Sequence, residues 1–438
     1  MRTHATTIAL LLLAATVLGG CASQVRELMP TPAMSHLPTA SSMFRQVPPA
    51  RRVPDVDLLY ITDRAPDPTA AANLPYGQAR AHSLGFGSAV VRLEPTMEWD
   101  DLVQESLSHP RRQTIALAMG PIHELGRYPI EPYRLQVIPT GGVERSRYAL
   151  ERHRRAEETL QSEVQRRLEK APTGQVMLYV HGFNETFATA AFTAAELCHF
   201  LGRAHVCAFF TWPASTRGNP LISYTSTTES AEYSIGHLKK VIRTLAQTPG
   251  VESLQLLAHS RGTALLLSAF RELALEAIVA GEDPAEVFKV RNLVLMSPDI
   301  DADVATQKIE IFASDPSITS AWKKQRMPRY LLGRMTTYSS PEDRALWLSK
   351  LLFRSQERLG ELTPDNLSPA AQTYFDKVGT VDFIIYEGQR TDFFGHSYFT
   401  SNPRVSADLI ELIRNDTPPG TPGRPLVRAG KVAWVFPD

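Results

Sequence analysis

Apolar residues recur between residues 175 and 400 as short, almost unbroken runs separated by longer segments with helical spacing. Examples of the runs are Gln175–Val180, Val206–Phe210 and Val381–Tyr386. A strand without polar alternation is buried on both faces, which is typical of a mostly parallel sheet with helices on both sides. The pattern therefore predicts an α/β fold whose core spans residues 175–400.

The segment 55–150 has a different pattern. Its short alternating stretches, such as Leu58–Thr62 and Phe86–Leu93, predict antiparallel strands that lead into the sheet, with irregular embellishment between them. A charged segment over residues 149–170 predicts a helix with a solvated face that leads into the first parallel strand.

The two ends of the chain differ from this domain, which we place at residues 55–415. Residues 21–54 are rich in proline and serine from residue 24 onward, which predicts a flexible tether. Residues 416–438 contain several proline and glycine breaks and then the run Lys431–Phe436, which predicts either an added edge strand or a docking segment.

The stretch from Glu252 to Leu273 carries the clearest chemical signal. An apolar strand ends at Ala258-His259-Ser260-Arg261-Gly262, and a helical run begins at once. A serine on such a tight strand-to-helix corner is exposed at the edge of the sheet, and small residues are needed two positions before and after it. Ala258 and Gly262 are small, so Ser260 is the predicted nucleophile.

A nucleophilic serine needs a histidine base and a carboxylate that orients the histidine. In folds with this corner, the chain order is serine, then the acid, then the histidine. His396 follows the strand Val381–Tyr386, and Asp343 follows an earlier strand in a turn-forming sequence. Both positions lie at the carboxyl ends of strands. Asp299 or Asp301, one strand earlier, is the alternative acid, although acids in such a position also cap helices.

The strand Gln175–Val180 is followed by His181-Gly182-Phe183-Asn184. Glycine allows the backbone to turn so that the next amide points at a developing oxyanion. We predict that the amides of Phe183 and Arg261 form the oxyanion hole, with His181, Gly182 and Asn184 supporting the loop.

Composition narrows the classes of function. The 46 basic and 46 acidic side chains give no net charge, which removes the electrostatic argument for nucleic acid binding. No nucleotide-binding or zinc-protease motif is present, so the sequence calls for no cofactor and no metal. Cys198 and Cys207 either form a disulfide or remain two inert buried thiols.

The first residues predict a location in the cell envelope. Arg2, the apolar run Ile8–Leu18 and the closing Leu18-Gly19-Gly20-Cys21 resemble a bacterial lipoprotein signal, with residues 1–20 removed and Cys21 lipidated. A simple secretory signal is the alternative. No aspartate follows Cys21, which favours the outer membrane, facing the periplasm, over retention in the inner membrane.

The ordered motifs together resemble the α/β-hydrolase superfamily, in particular its bacterial branch of poorly characterised esterase-like and lipase-like proteins. The resemblance covers roughly residues 55–415 and implies the triad of Ser260, Asp343 and His396. Where that branch often has methionine and asparagine beside the nucleophile, this chain has Arg261 and Thr263.

We therefore expect a lipid-anchored serine hydrolase that acts on esters, either small molecules or lipids. An amidase or thioesterase would use the same residues. A catalytically silent envelope lipoprotein that uses the fold as a binding scaffold is the alternative from another class, because a fold alone does not establish activity. The sequence predicts no particular protein partner.

Overall fold

The computed structural model describes residues 25–33, 43–69, 75–214, 220–314, 322, 327–353, 357–366 and 369–437. The predicted signal peptide and Cys21 lie outside these residues. The strands are β1 Val25–Glu27, β2 Val56–Pro66, β3 Tyr76–Glu94, β4 Ala116–Arg127, β5 Leu135–Ile138, β6 Gly142–Arg145, β7 Gln175–Val180, β8 Val206–Thr211, β9 Ser253–His259, β10 Val290–Met296, β11 Met335–Ser339, β12 Val381–Ile385, β13 Val427–Arg428 and β14 Ala433–Val435.

The α-helices are α1 Trp99–Leu107, α2 Arg147–Leu168, α3 Phe187–Phe200, α4 Pro220–Gln247, α5 Arg261–Val279, α6 Pro284–Phe288, α7 Ala302–Ser314, α8 Arg344–Phe353, α9 Pro369–Val378, α10 Tyr398–Ser401 and α11 Pro403–Asn415. The predicted charged helix at 149–170 corresponds to α2. Short 3₁₀ turns lie at Pro49–Arg51 and Leu359–Glu361.

Twelve strands form one sheet in the order β1-β4-β3-β2-β8-β7-β9-β10-β11-β12-β14-β13. The strands β2, β3 and β4 pair antiparallel with one another. The six strands from β7 to β12 pair in parallel. The predicted division into leading antiparallel strands and a parallel core is therefore confirmed. The remaining strands, β5 and β6, pair only with each other.

Alternate residues of the parallel strands enter two different cores. Along β7, Val176, Leu178 and Val180 pack with helices α2, α4 and α5 on one face of the sheet. Met177 and Tyr179 pack with α1, α3 and α11 on the other face. Both faces of each strand are thus buried, which explains why these strands are apolar throughout.

The segment expected to be a flexible tether is docked on the domain, so that prediction is wrong for residues 25–33 and 43–54. β1 pairs with β4, and Leu28, Met29 and Phe44 are buried in the core that contains α3. The Glu196 carboxylate of α3 accepts from the Met29 amide at 2.8 Å and also pairs with Arg26. Apolar side chains scattered among the prolines supply the contacts that hold the segment in place.

The last residues extend the opposite edge of the sheet. β14 pairs in parallel with β12, and β13 pairs with β14, as expected for an added edge strand. The buried Arg424 guanidinium donates to both oxygens of Asp408 in α11 at 2.9 Å, which fastens this segment to the helix layer. The folded body therefore extends beyond the expected limits of 55 and 415.

Among the described residues, both cores consist of residues from Leu28 onward, so the chain from residue 24 contains all of the core that the structure describes. Within the described ranges, no helix has the length and apolar character needed to cross a bilayer.

Candidate active site

Three strained residues lie at the carboxyl ends of neighbouring strands. Asn184 after β7, Ser260 after β9 and Ser297 after β10 have φ angles of 59°, 53° and 46°. Residues other than glycine avoid this region, and such strain occurs most often at functional sites. The sheet edge formed by β7, β9 and β10 is therefore the candidate active site.

Ser260 occupies the predicted corner between β9 and α5, with φ 53° and ψ −127°. Three donors fix its carbonyl oxygen: the Thr263 amide at 3.1 Å, the Thr263 hydroxyl at 2.6 Å and the Asp299 amide at 3.2 Å. The Ser260 amide donates to the Met296 carbonyl at 3.0 Å. The backbone on both sides of the serine is thus held by hydrogen bonds. Its side-chain hydroxyl makes no capping hydrogen bond to α5 among the described residues.

Two glycines permit this corner to lie against the end of β7. A Cβ at Gly262 would overlap the His181 carbonyl oxygen and come within 2.9 Å of the Val180 carbonyl oxygen. A Cβ at Gly182 would come within 2.6 Å of the Ser260 Cβ and 3.2 Å of the Ser260 Oγ. The predicted oxyanion loop therefore lies directly beside the predicted nucleophile.

Asp343 and His396, predicted as acid and base, lie together. The His396 Nδ1 donates to the Asp343 Oδ2 at 2.7 Å. The other carboxylate oxygen of Asp343 accepts from the Ala345 and Leu346 amides at 3.1 Å. Burial disfavours the imidazolium, but the charge of Asp343 and its hydrogen bond outweigh burial and raise the pKa of His396 above its ordinary 6.5.

No hydrogen bond joins the Ser260 hydroxyl to the His396 ring within the described part of the chain. The two residues are linked through His259, whose ring centroid is 4.7 Å from that of His396. Hydrogen bonds between catalytic groups are often long in the absence of substrate and shorten on binding.

The alternative acids do not pair with His396. The Asp299 carboxylate accepts from the Ser349 hydroxyl at 2.7 Å and from the Tyr224 hydroxyl, and it lies 3.5 Å from the Arg358 Nε. Asp301 instead caps α7, because its Oδ1 accepts from the amides of residues 303 and 304. Both carboxylates are therefore used in structural roles.

The loop after β7 depends on a buried polar cluster. The His181 Nδ1 donates to the Gly182 carbonyl at 2.9 Å, and the Nε2 accepts from the Trp212 amide at 3.1 Å. The fully buried Arg64 donates to the Glu185 carbonyl at 2.7 Å and to the Thr211 hydroxyl at 2.7 Å. Burial lowers the pKa of His181 well below 6.5, so His181 is neutral and holds the loop, as the sequence suggested.

The two remaining loop residues have separate roles. Phe183 is half-buried, and its ring lies edge-on to Tyr224 with centroids 5.2 Å apart. Asn184, which the sequence predicts to support the loop, has an exposed side chain. Its contribution is the left-handed backbone conformation, which asparagine adopts more readily than most residues.

The residues that hold His396 in place are not among those predicted from the sequence. The His396 carbonyl accepts from the Ser297 hydroxyl at 2.8 Å and from the His259 Nε2 at 3.1 Å. Asp392 accepts from the amides of Phe394, His396 and Ser397 at 2.9–3.2 Å. An aspartate three residues before Gly395 was a usable turn signal, whereas the contacts across the strands had no sequence signal.

The two cysteines that remain after Cys21 form a disulfide between α3 and β8. It lies in the core on the face of the sheet that packs against α3. No group of three or more histidine, cysteine, aspartate or glutamate side chains within the described ranges could hold a metal ion.

The strand order, the corner at Ser260 and the carboxylate–histidine pair define an α/β hydrolase. The chain belongs to the family described as alpha/beta hydrolase of unknown function (DUF900), whose model matches residues 156–415. No curated protein matches the chain.

Several solved structures are similar to this chain. A Pyrobaculum calidifontis esterase is 11% identical, with 56% of this chain and 78% of that chain covered and a TM-score of 0.31. MenH from S. aureus is 11% identical, with 55% and 92% covered and a TM-score of 0.28. The RedJ thioesterase of the prodiginine biosynthetic pathway in Streptomyces coelicolor is 12% identical, with 56% and 86% covered and a TM-score of 0.28. Likeness at this level does not bear on the substrate.

We predict that Gly262→Ala lowers the free energy of unfolding by about 1–3 kcal/mol, because the new Cβ must displace the backbone at the end of β7. Urea denaturation measures this change. The matched control is Gly236→Ala in α4, where no atom lies within 4 Å of the new Cβ. The control should be unchanged or more stable by up to about 1 kcal/mol. Equal stability of the two variants would contradict the close approach.

Proposed function

We propose that this protein is a serine hydrolase that cleaves carboxylic esters through an acyl-enzyme. Ser260 attacks the acyl carbon while His396 takes the hydroxyl proton, and the alcohol leaves with the proton that His396 returns. Water then attacks the acyl-enzyme by the same route and releases the acid. Family membership supports hydrolysis, and the 2.7 Å pair of Asp343 and His396 is the observation that carries the choice of mechanism.

Each remaining group has a defined role in this proposal. Asp343 keeps the His396 proton on Nδ1, so that Nε2 is free to accept a proton from the serine. The amides of Phe183 and Arg261 stabilise the oxyanion of the tetrahedral intermediate. Gly182, whose Cα faces the Ser260 side chain, supports this assignment because it brings the loop to the position of the reacting carbon.

The pH dependence of kcat/KM tests this proposal. The neutral imidazole is the active form, and the pKa of His396 is raised, so activity should fall with decreasing pH through a midpoint above 6.5. Asp343→Asn removes the charge that stabilises the imidazolium, so the midpoint should move to lower pH. The rate should also drop by roughly 10⁴, as expected when the wrong tautomer is favoured. Hydrolysis of a short soluble ester measures both effects, with Ser260→Ala as the inactive reference.

The matched control is Asp382→Asn, which alters a buried carboxylate that pairs with Arg334 rather than with a histidine. It should leave the midpoint unchanged. If Asp343→Asn behaves like Asp382→Asn, the proposed role of Asp343 is wrong. If the wild-type protein hydrolyses amides or thioesters but no ester, the mechanism stands and the substrate class is replaced. A folded protein that hydrolyses none of them favours the scaffold function.

We further propose that Cys21 is lipidated and anchors the enzyme to the outer membrane, facing the periplasm. The run Ile8–Leu18 followed by Leu-Gly-Gly-Cys supports this proposal. A disulfide between Cys198 and Cys207 suits an oxidising compartment.

Expression of the full chain in a diderm bacterium with a labelled fatty acid tests the anchor. The wild-type protein should carry the label and fractionate with the outer membrane, and Cys21→Ser should lose the label. Ala22→Asp should keep the label but move the protein to the inner membrane. Label that persists in Cys21→Ser, or a wild-type protein released into the soluble fraction, would disprove the anchor.

A further inference from the structure

The hairpin of β5 and β6 presents apolar side chains to solvent. Leu135, Val137 and Val143, here called the hairpin face, are between 65% and 78% exposed, and Val137 lies directly opposite Val143. The hairpin is separate from the main sheet and pairs with none of the other strands that the structure describes. A two-stranded hairpin gains little stability by itself, so aliphatic side chains on its outer face point to a function in binding.

Further exposed apolar side chains lie close to the hairpin face along the chain. Ile130, before the hairpin, and Tyr148, in the first turn of α2, are 73% and 70% exposed. Leu150, two residues further along α2, is also exposed. Exposed apolar side chains are thus concentrated within about twenty residues of sequence, which marks an interaction site rather than scattered surface positions.

The stretch of chain that contains the hairpin has an excess of basic residues, although the whole chain is neutral. Residues 128–155 contain six arginines and three glutamates. Some of these charges are paired: Arg154 with Glu158, Arg155 with Glu151, and Glu131 with Lys240. Among the described residues, the arginines of this stretch that have no acidic partner are Arg134, Arg145, Arg147 and Arg152. The first turn of α2 contains a basic residue, Arg147, and no acid, which is unfavourable at the positive end of a helix dipole unless an external anion is near.

This combination favours one kind of partner. Aliphatic and tyrosine side chains next to arginines are typical of surfaces that enter the boundary between headgroups and acyl chains of anionic lipid. An acidic, water-soluble protein partner would explain the arginines but not the aliphatic side chains of the hairpin face. A neutral protein partner would explain the hairpin face but not the arginines.

The hairpin leaves the sheet at the same edge as the candidate active site. Gly85 of β3 pairs with Thr62 of β2 on one side and with Arg127 of β4 on the other. Thr62 is also paired with Thr211 at the carboxyl end of β8. The chain therefore departs toward the hairpin from the edge where Ser260 lies. Near the site, Trp347 and Phe393 are exposed on the segments that carry Asp343 and His396.

We propose that the hairpin face docks on an anionic lipid bilayer and turns the catalytic edge of the sheet toward the membrane. The docking does not depend on catalysis. If the proposed function holds, the docking implies that the substrate is an ester of a membrane lipid rather than a soluble ester.

Co-sedimentation with vesicles tests the docking. The chain from residue 24, which lacks the proposed lipid but contains the described core, carries Ser260→Ala so that binding is measured without hydrolysis. It should bind vesicles of phosphatidylcholine mixed with phosphatidylglycerol and bind pure phosphatidylcholine more weakly. Val137→Asp with Val143→Asp should reduce the apparent affinity by at least roughly tenfold, because two charges enter the apolar contact.

The matched control is Val279→Asp with Val378→Asp, which adds the same charge at exposed valines near the opposite edge of the sheet. It should retain most of the binding. Equal loss in both double variants, or no binding of the parent chain to anionic vesicles, would overturn the proposal. A parent chain that forms a dimer, with the hairpin variant monomeric, would identify the face as a protein interface instead.

The proposed function is tested separately, in protein that retains Ser260. The hairpin variant should keep full activity on a short soluble ester and lose activity only on an ester presented in anionic vesicles. Loss of activity on both substrates would count against the hairpin as a docking surface and leave the hydrolase mechanism untouched.

Discussion

The close approach of two backbone segments is the constraint on which the site depends. The first turn of α5 packs against the end of β7 with so little space that Gly262 and Gly182 have no room for a Cβ. This contact forces Ser260 into a left-handed conformation and places the loop after β7 beside its hydroxyl. The cost of that strain, on the order of 1–3 kcal/mol, is offset by the three hydrogen bonds to the Ser260 carbonyl and by the cores on both faces of the sheet.

The electrostatic part of the site follows from the same sheet edge. Because β9, β10, β11 and β12 are neighbours in parallel, the segments at their carboxyl ends meet. His396 is held by groups from the end of β9 and from the loops after β10 and β11. His259 and Ser297 fix its backbone, whereas Asp343 fixes its ring. Arg64 and His181 perform a similar task for the loop after β7. The side chains with proposed chemical roles are thus supported by others that touch no substrate.

The sequence predicted the parts of this arrangement that local patterns determine. Apolar runs identified the parallel strands, and the small residues around Ser260 identified the corner, because both properties depend on near neighbours in the chain. Contacts between distant residues had no such signal. The docking of residues 25–33 depends on Glu196, about 170 positions away, and the support of His396 by His259 spans 137 positions. The proline-rich composition before residue 54 favoured a tether because it does not reveal which apolar side chains find a buried site.

Reaction with a fluorophosphonate, followed by peptide mapping, tests whether Ser260 is an activated nucleophile, because the reagent reacts with a serine that a neighbouring base activates. We expect one adduct, on Ser260 of the chain from residue 24, and no adduct in Ser260→Ala. Labelling should be much slower in Asp343→Asn, since the imidazole then loses its orientation. A folded wild-type chain that stays unlabelled, or that is labelled at another serine, would show that Ser260 is not the nucleophile.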